Sequence, residues 1–225
     1  MIARGFVYSV VGGRALNQDA FLCLDPAAFY AVADGVGGGA MGEVASALAV
    51  ETLQKNLSEG HGMKAGFDRA HECIYKRAMD TFGSAIMGTT LTAIQIVDGV
   101  AVLCHIGDSR CYRVSINSLS QLTVDQEFLD DETGNSILES YLGKNPDLGP
   151  LDIMEQRIPV ASEDKFLLCS DGLYKQLSES KTLEIIQKNK NQPEKIPVAL
   201  ADEAVLADSS DNVTVLYVTI GGMHE

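Results

Sequence analysis

Residues 91–106, LTAIQIVDGVAVLCHI, are two apolar runs joined by Asp98-Gly99. A type I′ turn needs positive φ at both central residues, which Asp-Gly tolerates, so the stretch predicts a tight antiparallel hairpin. The same dipeptide cuts the longest apolar stretch of the chain, residues 91–107, and argues against a membrane span. Around this hairpin, strand-like runs lie at 6–11, 20–24, 29–33, 111–114, 152–160, 165–170 and 212–220. Helical spacing marks 42–57, with Val44, Leu48 and Leu57 near one face. It also marks 64–82, where Phe67, Ala70, Ile74 and Ala78 form a face that Met79 and Phe82 extend. Two further helices are predicted at 180–189 and 194–206, and the polar, Asp-rich residues 115–152 read as loop with one short helix. Strands cluster and helices come in pairs, without strict βαβ alternation. That pattern predicts an α+β fold with sheets packed together and helices outside, rather than a doubly wound parallel sheet. At 225 residues the chain can bury a core without disulfide or metal staples, and we expect one domain over 1–225.

Charge narrows the function classes. Thirty-one acidic against 17 basic residues give a net charge of −14, spread along the chain. Such a surface lacks the electrostatic footprint of a nucleic-acid binder and is repelled by anionic membranes. The five cysteines form no C-x-x-C, and Cys23, Cys104 and Cys169 sit in apolar runs as small hydrophobes. A reducing compartment fits that usage, and the N-terminus shows no secretory pattern, so a cytoplasmic protein is expected.

The stretch AVADGVGGGAMGE (31–43) spells G-x-G-x-x-G from Gly37 to Gly42. A dinucleotide fold requires a second strand after the following helix, and here SEGHGMK and another helix follow. A phosphate loop requires Lys-Ser/Thr after the last glycine, and here Glu43-Val44 follow. What remains is Asp34 at a strand end, followed by Gly35, whose carbonyl can approach a ligand closely. Asp19, Asp108, Asp171 and Asp211 repeat the theme at the edges of other strand-like runs, and Asp171 is again followed by glycine. Each alone reads as a turn or cap residue. Gathered, five carboxylates repel unless a cation compensates them, and oxygen-only donors favour Mg²⁺ or Mn²⁺. Two such ions about 3.5–4 Å apart can activate a water and neutralise a phosphoryl group.

The segments GRALNQDA, AVADGVGG, GTTLTA, HIGDSRCYRV, LTVDQE, LLCSDGL and DNVTVLYV occur in that order between residues 12 and 218. In these motifs and their order the chain resembles the PPM family, the metal-dependent type 2C serine/threonine protein phosphatases, in its bacterial form. The resemblance implies a central β-sandwich of two antiparallel sheets flanked by helix pairs, with two Mn²⁺ or Mg²⁺ ions at one end. It implies that Asp34 bridges both ions, that the Gly35 carbonyl helps bind one, and that Asp171 and Asp211 complete the shell of the other. Asp19 would act through metal-bound waters, Asp108 with Asp171 would hold a third, weaker ion, and Arg14 would grip the substrate phosphate. The implied reaction is direct attack on phosphorus by a bridging water. No cysteine nucleophile is needed, and the C-x5-R spacing from Cys104 to Arg110 encloses Asp108, which would repel phosphate.

Three departures stand out. Val36 occupies the position where eukaryotic relatives often carry a histidine proposed as general acid, and Gln18 stands where an acidic residue is common. His105 is expected to be a core or supporting histidine. The flap, residues 130–152, is compact, acidic and rich in turn residues, which predicts an open groove with modest sequence preference. The resemblance implies a phosphorylated protein as partner, a kinase or its target, and a monomeric enzyme. Two other functions compete: a catalytically silent relative that binds phosphoproteins, and a two-metal hydrolase of a small phosphoester.

Overall fold

The computed structural model describes residues 2–36, 41–130, 134 and 136–221. Three strands open the chain: β1 (Ile2–Val10), β2 (Asp19–Leu24) and β3 (Phe29–Asp34). The helices α1 (Gly42–Ser58) and α2 (Met63–Phe82) follow. Then come β4 (Leu91–Val97), β5 (Val100–Ile106), β6 (Arg110–Val114), β7 (Leu119–Gln121), β8 (Glu127–Leu129), β9 (Ser136–Leu138), β10 (Met154–Pro159) and β11 (Lys165–Cys169). The chain closes with α3 (Asp171–Tyr174), α4 (Glu179–Lys188), α5 (Ile196–Leu206) and β12 (Val213–Gly221).

Two five-stranded antiparallel sheets form, in the orders β1-β12-β11-β6-β7 and β10-β5-β4-β3-β2, beside a small β8-β9 hairpin. The Asp98-Gly99 turn is as expected: Val97 pairs with Val100, and φ is 50° at Asp98 and 77° at Gly99. Strand alternation then builds the layers. Along β3, Tyr30 and Val32 join Phe166, Leu168, Leu216 and Val218 between the two sheets. Phe29, Ala31 and Ala33 point the other way, into a core with α1 and α2. On the outer face of the first sheet, Leu167, Val213, Val215 and Tyr217 pack against Ile185, Ile196 and Leu200 of α4 and α5. The result is the expected α-β-β-α stack. The central strands read as unbroken apolar runs because both of their faces are covered.

Several details differ from the sequence reading. The first strand begins at Ile2 rather than Phe6, because Ile2–Gly5, which Arg4 and Gly5 break as an apolar run, pair with the end of β12 (Ile2 with Gly221). The buried stripe of α1 is Ala45, Ala49, Val50, Leu53 and Asn56, while Val44, Leu48 and Leu57 lie at its margin, partly buried. Small residues let the helix approach β2 and β3 closely, so side-chain size pointed to the wrong face. On α2 the stripe ends at Ala78, and Met79 and Phe82 are exposed. Among the described residues, 115–152 hold β7, β8, β9 and a 3-10 turn at Pro146–Leu148, with no α-helix. The glycines Gly37 to Gly39, expected to turn the chain beside the site, lie outside the described residues. No described helix is long and apolar enough to cross a membrane.

Enlarging the α1 stripe tests its assignment. Ala49→Leu overfills a fully buried position and should cost about 1–3 kcal/mol, read as a lower urea midpoint at unchanged m-value. A change within the ~0.5 kcal/mol of ordinary surface substitutions would place the stripe wrongly.

Candidate active site

Sheet register brings the acidic turns to one end of the sandwich. β2 and β3 pair so that Asp19 stands directly opposite Asp34. Leu91 at the start of β4 pairs with Ile106 at the end of β5, which leads into Gly107 and Asp108. In the other sheet, Cys169 at the end of β11 faces Arg110 at the start of β6 and Val215 near the start of β12. Asp171 and Asp211 therefore leave the sheet side by side. Asp34, Asp108, Asp171 and Asp211 line a single cleft of about 400 Å³ with Arg14, Gly35, Val36, Thr90, Lys175, Glu127 and the β9 residues.

Backbone contacts fix each carboxylate. The Asp34 amide donates to Thr90 Oγ1 (3.0 Å), and its carbonyl accepts from the Thr90 amide (2.9 Å) and Thr89 Oγ1 (2.8 Å). The Gly35 amide donates to the Gln18 carbonyl (3.0 Å), which also accepts from Ser46 Oγ (2.6 Å). Gln18 thus contributes through its backbone, while its side chain reaches only Glu43 at 3.4 Å. A Cβ on Gly35 would collide with the Gly42 carbonyl and come within 2.8 Å of the Gln18 carbonyl oxygen. A Cβ on Gly172 would likewise run into the Asn212 carbonyl, so glycine lets Asp171 approach Asp211. Asn212 buckles the loop before β2 onto β12: its Oδ1 accepts from the Gln18 amide (2.8 Å), and its Nδ2 donates to the carbonyls of Val11 (2.8 Å) and Leu16 (3.0 Å).

The charges are poorly compensated by the chain itself. Burial, then the neighbouring carboxylates Asp19, Asp171, Asp108 and Asp211, raise Asp34 well above the usual carboxylate range. Burial pushes Asp19 up to about 6, with hydrogen bonds from Thr214 and Ser170 opposing it. Burial and then Asp171 push Asp108 up to about 6, with Lys175 opposing. Asp19 Oδ2 accepts from Ser170 Oγ (2.8 Å), but Asp19 Oδ1 is buried without a hydrogen bond, and so is Asp171 Oδ1. Arg14 forks onto Asp211, Nε to Oδ1 at 2.9 Å and Nη2 to Oδ2 at 2.7 Å. Lys175 Nζ lies 2.7 Å from Asp171 Oδ2. With Asp211 and Asp171 drawn to these two cations, no three His, Cys, Asp or Glu among the described residues converge on one point as the side chains stand. Orphaned buried oxygens and an all-carboxylate donor set nonetheless fit a hard divalent cation.

All seven residues singled out from the sequence (Arg14, Asp19, Asp34, Gly35, Asp108, Asp171 and Asp211) gather at this end. His105 does not join them: it is fully buried, its Nδ1 2.8 Å from Thr92 Oγ1 and its Nε2 3.0 Å from the Val124 carbonyl, and burial lowers it to about 4. Sequence reasoning missed Lys175, Thr90, Ser170 and Asn212. For Lys175 the available signal is its place four residues after Asp171, one helical turn on.

Comparisons with known proteins bear on the family and the fold. The sequence model of the family described as Protein phosphatase 2C matches residues 9–195. The chain is 30% identical over 208 residues to the serine/threonine phosphatase stp of Listeria welshimeri, covering 83% of this chain and 82% of that one. It superposes on PppA of Pseudomonas aeruginosa, a regulatory component of its T6SS, with a TM-score of 0.85 at 28% identity, over 98% of each chain. It also superposes on the catalytic domain of the serine/threonine protein phosphatase PstP in complex with two manganese ions, with a TM-score of 0.81 at 29% identity, over 98% of this chain and 99% of that one.

The crowding at Gly35 has a direct consequence. Gly35→Ala meets backbone, which cannot swing aside, and should destabilise the fold by about 1–3 kcal/mol in urea unfolding. Wild-type stability would show that the turn has room.

Proposed function

The chain belongs to the protein phosphatase 2C family, and from that premise we propose that it is a metal-dependent enzyme that hydrolyses phosphoserine and phosphothreonine in proteins. The observation that carries the reading is the convergence of Asp34, Asp108, Asp171 and Asp211 on one cleft, with Asp19 paired opposite Asp34 behind it and buried carboxylate oxygens left without partners. Asp34, the Gly35 carbonyl, Asp171 and Asp211 are the groups that would hold two Mn²⁺ or Mg²⁺ ions, and Asp19 would support them from behind. When bound, such ions supply a nucleophilic water and neutralise charge on the phosphoryl group.

The chain's own residues do the rest. Thr89 and Thr90 hold the Asp34 backbone, so its carboxylate is aimed before substrate arrives. Arg14, with a side chain 42% exposed at the cleft edge, has the planar fork that suits phosphate, and it must exchange its Asp211 partner to reach it. Val36 lines the cleft without a proton to give, so the reading assigns protonation of the leaving oxygen to solvent. The short β8-β9 hairpin borders the cleft through Glu127, Ser136, Ile137 and Leu138, which suits an open groove for phosphorylated segments. Its substrates would be products of a protein kinase, which this enzyme opposes.

The test compares a phosphothreonine peptide and an aryl phosphate, with Mn²⁺ and with chelator. Activity should require the metal on both substrates. Asp19→Asn should lower kcat/KM by about 10–100-fold, as loss of an outer partner does, and Asp34→Asn by more. Activity that persists in chelator or in Asp34→Asn would sink the two-metal reading, and activity on the aryl phosphate alone would move the substrate to a small phosphoester. Arg14→Ala should raise KM, and an unchanged KM would remove Arg14 from phosphate binding.

A further inference from the structure

Lys175 stands among the carboxylates without a part in the reaction described above. It follows α3 directly, and its amide donates to the Asp171 carbonyl (3.0 Å), so the two side chains leave one face a turn apart. Its Nζ lies 2.7 Å from Asp171 Oδ2 and 3.7 Å from Asp108 Oδ2, so one ammonium spans carboxylates from two separate turns. Tyr174 closes the far side: its hydroxyl donates to the Asp108 carbonyl (3.1 Å) and lies 3.4 Å from Asp108 Oδ2. An exposed i,i+4 ion pair would mean little, but here the acids are largely buried, Asp108 at 8% and Asp171 at 16% side-chain exposure.

We propose that the Lys175 ammonium is the resident cation of the Asp108–Asp171 position, filling with a side chain the place a third divalent ion would otherwise take. The inference rests on the reading of the cleft as a metal centre and revises the expectation of a third, weaker ion. Charge supports it. Asp19, Asp34, Asp108, Glu127, Asp171 and Asp211 are balanced in full by two divalent ions together with Arg14 and Lys175, leaving no excess for a third ion to neutralise. Geometry supports it as well. Lys175 takes Asp171 Oδ2 and leaves Oδ1, buried and unpartnered, for the ions. Lys175 is thus a positioning residue that splits the Asp171 carboxylate between its ammonium and the centre.

Counting bound Mn²⁺ by calorimetry and by electron paramagnetic resonance, up to millimolar concentration, tests this on four proteins: wild type, Lys175→Met, Asp108→Asn and the double variant. Lys175→Met keeps the aliphatic stem and removes the charge. It should bind one more Mn²⁺ than wild type, and adding Asp108→Asn should abolish that extra ion. Asp108→Asn alone should leave the wild-type count unchanged. An unchanged count in Lys175→Met, or an ion lost from the wild type on Asp108→Asn, would overturn the proposal. The wild-type count separately reads the two-metal centre. A wild type that binds no Mn²⁺ refutes that centre, while the difference between wild type and Lys175→Met still decides the role of Lys175.

Discussion

Mutual repulsion among buried carboxylates is the constraint on which the rest of this structure turns. Two like charges about 4 Å apart cost about 4 kcal/mol at an effective dielectric near 20. The antiparallel register nevertheless sets Asp19 directly opposite Asp34, a placement that weakens a sheet unless something intervenes. The chain answers in three ways that its contacts make visible. Asp19 takes a hydrogen bond from Ser170, Asp211 takes the fork of Arg14, and Asp171 takes Lys175. Among the described residues no salt bridge reaches Asp34, and burial with its neighbouring carboxylates raises it well above the usual carboxylate range. A site so arranged gathers more negative charge than its own two cationic side chains offset.

Holding that repulsion in place requires a frame that does not yield, and the four layers supply it. β3 and β12 are apolar on both faces, so the ends that carry Asp34 and Asp211 are anchored by core on either side. The connections beyond those ends are tightened by close backbone approaches, Gly35 against Gly42 and Gly172 against Asn212. Asn212 then ties the loop bearing Arg14 to the start of β12 with three hydrogen bonds. Precision at the cleft is therefore bought by packing and backbone contacts rather than by the acidic side chains themselves.

That division explains how much was legible in the sequence. Strand ends and the hairpin at Asp98-Gly99 could be read because apolar runs and turn residues act locally. The five aspartates could be read because each sits at an edge of such a run, Asp19 and Asp211 at a start and Asp34, Asp108 and Asp171 at or just past an end. The α1 face could not, since its buried stripe mixes Ala45 and Ala49 with Val50, Leu53 and the polar Ser46 and Asn56, and small or polar residues signal burial only once the partner sheet is known. Lys175 was hidden for a related reason: α3 spans four residues, too short for periodicity to reveal that Asp171 and Lys175 share a face. The pairing of β8 with β9 was lost in a polar stretch where three-residue strands carry no alternation to detect.

A chain of charge −14 that acts on phosphate faces a further difficulty, because its substrate is an anion. Long-range attraction is not available to it, and screening at physiological salt limits the opposing field to about 8 Å. Binding must then be decided within the cleft, where the two cationic side chains sit on different sides of the carboxylates. Arg14 approaches from the loop before β2 and contacts Asp211, while Lys175 approaches from α3 and contacts Asp171 and Asp108. Their chemistry divides the work. A guanidinium can trade a carboxylate for a phosphate of similar shape, whereas an ammonium is a point charge shared between Asp171 Oδ2 and the more distant Asp108 Oδ2. The planar fork is thus suited to the substrate, and the point charge, which touches carboxylates from two separate turns, to holding those turns together.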